Sequence, residues 1–72
     1  MTTTADLTSL AARLRHTQTR LLPLELAEQI QHAIVRIEAL AGAPLPRADA
    51  VHAAVDEGER LLATCERLLA RP

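Results

Sequence analysis

Three stretches of this sequence space their apolar residues by three and four, and that period constrains the fold more than any other feature. In the first stretch Leu7, Leu10, Leu14 and Leu21 follow the spacing, with Thr17 in the missing place. In the second, Leu26, Ile30, Ala33, Ile37 and Leu40 follow it, with Ile34 alongside. In the third, Val51, Ala54, Gly58, Leu61, Cys65 and Leu68 do so, and Val55, Leu62 and Leu69 widen the stripe. A period near 3.6 is that of an amphipathic helix with one buried face. No segment alternates with a period of two, so no strand is expected. Ala, Leu, Arg and Glu dominate the chain, and all four favour helix.

Punctuation divides the stripes. Thr3 and Asp6 can form a capping box, or Asp6 can cap alone. Gly42 can close the second helix. Pro44 and Pro46 forbid continuation, and Pro46 suits the first turn of a third helix. Pro23 allows either a kinked continuous helix or a break. No Gly, Asn, Asp or Ser surrounds it to build a turn. Charge favours the break. Arg13, Arg15, His16 and Arg20 suit a helix C-terminus, and Glu25 and Glu28 suit the start of a new helix. The spacing predicts helices near 5–22, 24–41 and 46–71, in one helical domain over residues 1–72. The architecture is all-α: a small three-helix bundle, or a helical hairpin with an extra N-terminal helix.

With 72 residues, a single core rarely supplies more than roughly 3–5 kcal/mol. The lone Cys65 excludes an internal disulfide. His16, His32 and His52 are scattered and complete no zinc ligand set with it. Regular helix packing and association remain as sources of stability. Phe, Tyr, Trp, Asn and Lys are absent, and every cationic side chain is Arg. That bias fits a GC-rich, bacterial genome. The net charge of −1 gives no general pull towards nucleic acid or anionic lipid. It divides unevenly, as +2 over residues 1–23 and −3 over residues 24–72. The N-terminus has no signal-peptide pattern, and no stretch has the length of a membrane span. The expected location is the cytoplasm, with Cys65 reduced.

The candidate chemical groups read better as structure. On a helical wheel His16 and His32 fall opposite their stripes, and His52 falls on a flank. A general base needs a dry pocket and a second group, which solvated histidines on separate helices lack. Cys65 sits on the stripe of the third helix, where a small buried hydrophobe fits better than a reactive thiol. Asp56, Glu57 and Glu59 splay around an outer face, a weak metal set. Gly58 stands mid-stripe where Leu is expected, at a cost of about 1 kcal/mol against Ala. It marks either a close helix approach or an accident. Arg13, Arg15 and Arg20 form a basic face without interleaved aromatics or lysines, and the helix dipole explains them more simply. No phosphate loop, nucleophile elbow or paired zinc motif is present.

The connection Ala41-Gly42-Ala43-Pro44-Leu45-Pro46, with Glu57-Gly58 and Cys65-Glu66 beyond it, resembles that of small bacterial helical hairpins such as the small subunit of exonuclease VII. The segment Leu26 to Ile34 is similar to the hairpin chaperones of type III secretion needles. Neither resemblance carries a functional residue over.

The expected function is therefore a non-enzymatic protein–protein interaction module: a small subunit, docking domain, adaptor or chaperone. The alternative is a nucleic-acid-associated protein using the Arg13, Arg15 and Arg20 face. No catalytic residue, metal, cofactor, small-molecule substrate or membrane is expected. The partner is a second copy or a larger protein, ahead of nucleic acid. Leu24 and Val35 fall roughly 120–140° from the centre of their stripe on the 3.6-residue wheel, and Leu22 sits at the edge of the first. Apolar side chains left on a surface mark contacts. Helix one, with its stripe broken at Thr17 and Gln18, is expected to pack loosely at home. The expected contact residues are Leu7, Leu10, Leu14, Leu22, Leu24 and Val35.

Overall fold

The computed structural model of the chain describes residues 4–70. It holds three helices, α1 (Thr4–Gln18), α2 (Leu24–Gly42) and α3 (Ala48–Leu69), and no strand among the described residues. They form a small up-down-up bundle, 43 × 19 × 17 Å in extent. Thr3 of the anticipated capping box lies outside the described residues; Asp6 stands in the first turn of α1, where the helix dipole favours a carboxylate.

Helix one ends four residues earlier than the spacing predicts, and threonine is the reason. The Thr17 hydroxyl donates to the Arg13 carbonyl at 3.0 Å, and the Thr19 hydroxyl to the His16 carbonyl at 2.7 Å. These bonds occupy carbonyls at the helix end. The backbone tightens in step: the Thr19 and Arg20 amides reach back three residues, to His16 and Thr17. Pro23 then bars helical conformation from Leu22 and stands at φ −55°, ψ 143° before α2. Its carbonyl accepts from the Ala27 amide at 3.0 Å and opens the next helix. The break at Pro23, rather than a kink, is thus what the chain adopts. One consequence is an exchange of leucines. Leu21, read as part of the first stripe, is 97% exposed, and Leu22, read as its edge, packs half-buried on the core.

The second connection also differs in detail. Gly42 is the last residue of α2, and no described glycine has positive φ. The helix ends because Ala43 turns extended, at φ −75° and ψ 138°. Pro46 lies outside α3; Arg47 is its N-cap, and the Arg47 carbonyl accepts from Val51 at 3.0 Å. Arg47 also pairs with Asp49 in the first turn.

The core is aliphatic throughout. Leu7, Leu10, Ala11 and Leu14 of α1 meet Leu26, Ile30, Ala33, Ile34 and Ile37 of α2, and Val51, Ala54, Leu61, Leu62 and Cys65 of α3. No polar side chain is buried among the described residues. Helix one does not pack loosely, contrary to the expectation from its broken stripe. Leu7, Leu10, Ala11 and Leu14 are all buried, and ties across to α2 hold its last turns. Arg15 pairs with Glu38, and the Gln18 amide donates to Gln31 Oε1 at 2.7 Å.

Gly58 explains how the three helices meet. A Cβ there would lie 3.0 Å from Leu10 Cδ2 and 3.3 Å from Ile37 Cδ1. Leu10 and Ile37 already occupy the space a side chain would need. The close-approach reading of this glycine is therefore the correct one.

Candidate functional site

The side chains that sequence reasoning placed at a contact fall into two groups. Leu7, Leu10 and Leu14 are buried within the chain itself. They hold α1 to its neighbours, and the folded chain does not present them to a partner. Leu22 is half-buried against the core. Leu24 and Val35 are 74% and 56% exposed, on the side of α2 turned away from the core. The structure does not bring these residues into one patch. Leu24 opens α2, and Val35 lies eleven residues along it, or about 16 Å at 1.5 Å per residue.

Other apolar side chains reach the surface that the stripes assigned to the core. Leu68 and Leu69 are 39% and 40% exposed, and Leu21 and Leu45 almost fully so. The sequence signal that could have found Leu21 is the pair of threonines ahead of Pro23. Leu68 and Leu69 escape because periodicity marks a face without marking where the neighbouring helices stop.

Two clefts flank α2. Between α1 and α2 runs an apolar groove of about 380 Å³, lined by Leu7, Thr8, Ala11, Ala12, Ala41 and Gly42, with the Arg15–Glu38 pair on its wall. A Cβ at Gly42 would meet nothing within 4 Å, so this glycine, unlike Gly58, has no neighbour to accommodate. Between α2 and α3 an open cleft of about 570 Å³ carries Glu25, Glu28, His32, Arg36 and Glu57. Arg36 donates to Glu57 there at 2.8 Å.

The titratable groups take unremarkable places. His16, His32 and His52 are exposed on separate helices. Asp56 of α3 pairs with Arg60 one turn on, and Glu57 with Arg36, so the acidic run lies in surface ion pairs. Cys65 is fully buried. Burial, and then the neighbouring Glu66 carboxylate, push its thiol above the ordinary value of 9.0. A group held protonated and out of solvent is a poor nucleophile. Of the arginines proposed for a basic face, Arg15 spends its charge on Glu38.

No family model, curated protein or solved structure matches the chain. No described helix is long and apolar enough to cross a membrane.

Proposed function

We propose that this chain is a non-enzymatic interaction module that associates with itself or with a larger protein of a bacterial, cytoplasmic complex. Its role would be that of a small subunit, docking domain, adaptor or chaperone. The observation that carries this reading is the contrast between a closed aliphatic core and large apolar side chains left outside it. Leu21, Leu24 and Val35 are each more than half exposed. In so short a chain, apolar area that could have entered the core and stays outside it supports a contact with another surface.

The nucleic-acid reading ranks second. It rests on Arg13, Arg15 and Arg20, and the Arg15–Glu38 pair weighs against it, because a guanidinium engaged with a carboxylate contributes less to a phosphate contact. The mass of the native protein, measured alone and after recovery from its host, tests the first reading. A species heavier than the 7.8 kDa monomer is expected in at least one preparation. A monomer in both, with DNA binding that falls steeply as salt rises, would favour the second.

A further inference from the structure

The exposed apolar side chains are not evenly spread. Of the six large ones, Leu45 lies in the α2–α3 connection and Val35 on the side of α2. The other four, Leu21, Leu24, Leu68 and Leu69, gather at one end. The ion pair Arg36–Glu57 sets the level of α2 against α3. Twelve residues back from Arg36 stands Leu24, and twelve residues on from Glu57 stands Leu69. In antiparallel helices with equal rise, those two positions arrive at the same height. Leu21 belongs to the turn that joins α1 to α2 at that end, and beneath it the half-buried Leu22 anchors the turn to the core.

Resting on the interaction-module reading, we infer that this turn end is the contact surface for a second copy of the chain, docked end to end about a two-fold axis. Charge selects the occupant. Arg20 and Arg67 stand exposed at this end, and so do Glu25 and Glu66. Neither sign prevails among these four, so the surface holds no net attraction for an anionic membrane or a polyanion. It does offer both members of an ion pair to its own image, as an isologous contact requires. Area sets the strength. The bundle is 19 × 17 Å across, which confines an end-on contact to a few hundred Å² per copy, against roughly 800 Å² per partner in a standard interface. The dimer is therefore weak and governed by concentration.

Sedimentation equilibrium from low micromolar to millimolar protein tests this, with Leu21→Glu, Leu24→Glu and Val35→Glu beside the wild type. The average mass of the wild type should climb from 7.8 kDa towards twice that value. Either turn-end variant should hold it at the monomer, and Val35→Glu should track the wild type. Circular dichroism verifies that each variant keeps its helix. Should a charge at position 21 disturb the fold, Leu21→Ser carries the same readout. A wild type monomeric throughout would overturn the inference. So would association that survives Leu21→Glu and Leu24→Glu and is lost with Val35→Glu. A monomer recovered from its host in stoichiometric complex with a different protein would overturn the self-contact and leave the interaction-module reading standing. A monomer that binds nothing would remove both.

Discussion

The middle of the bundle and its turn end are built from the same aliphatic residues and put them to different uses. At mid-height Gly58 gives up its side chain so that Leu10 and Ile37 can fill the space between three helices. At the turn end Leu21, Leu24, Leu68 and Leu69 project outward, and Leu22 alone reaches back to the core. Composition cannot distinguish the two places. What separates them is whether neighbouring helices continue on both sides. Ile37 has α1 and α3 beside it, whereas Leu69 is the last residue of its helix and stands level with the first residue of α2. Stability should therefore concentrate in the middle layer, and association at the end.

Cavity variants give the sharpest separation. Ile37→Ala and Leu14→Ala remove side chains that are wholly buried, and each should cost about 3–5 kcal/mol. That approaches the whole stability of a domain this small, so both variants should be largely unfolded in dilute buffer by circular dichroism. Leu21→Ala, at a residue 97% exposed, should change the unfolding midpoint of dilute protein by less than about 0.5 kcal/mol. Equal losses at the two places would break the comparison.

Gly58 is the next largest effect. Gly58→Leu would drive a full side chain into the space of Leu10 and Ile37, at an expected cost of about 3 kcal/mol in urea unfolding. Gly58→Ala should come out near neutral. Its gain of about 1 kcal/mol in helix propensity is offset by the few tenths of an ångström that Leu10 must yield. A Gly58→Leu variant as stable as the wild type would show that the helices do not meet closely here.

The legibility of these regions in the sequence differs for physical reasons. The α2 stripe was readable because Leu26, Ile30, Ala33 and Ile37 keep their period and all are buried. The α3 stripe was readable from Val51 to Cys65. The role of Gly58 was half readable: its place in the stripe flagged a close approach, but only the structure shows Leu10 filling the gap. The end of α1 was misjudged because a wheel extends a helix for as long as apolar residues recur. The hydroxyls of Thr17 and Thr19, which divert the last carbonyls, carry no weight on a hydropathy scale. That one error placed Leu21 inside. Leu7, Leu10 and Leu14 were rightly seen as an apolar face, but a stripe does not state whether its cover is intramolecular, and here it is.

Cys65 allows a milder test of the middle layer. The folded thiol titrates above the unfolded one because burial disfavours the thiolate. A raised folded pKa contributes stability that is fully present below the unfolded value and is lost as pH rises through the folded one. The chain has no Lys or Tyr, so Cys65 is the one side chain with an ordinary pKa between about 8 and 11. Stability should therefore fall as pH rises above about 9, and Cys65→Ala should flatten that fall. The native thiol should also label far more slowly than in denaturant. Rapid labelling of the folded chain would show that α3 turns another face inward.

The smallest effect belongs to the surface ion pairs. Arg15→Ala breaks the exposed pair with Glu38, and such pairs contribute at most about 1 kcal/mol. A loss several times larger would mean that the last turns of α1 depend on that pair more than on Leu14.

The most direct test of a turn end made for association is the melting temperature as a function of protein concentration. Binding between folded copies stabilises them by mass action. The wild-type midpoint should rise steadily from low micromolar to millimolar protein, and the midpoint of Leu21→Glu should stay flat at the wild-type dilute value. A wild-type midpoint independent of concentration, or an equal rise in Leu21→Glu, would contradict the account.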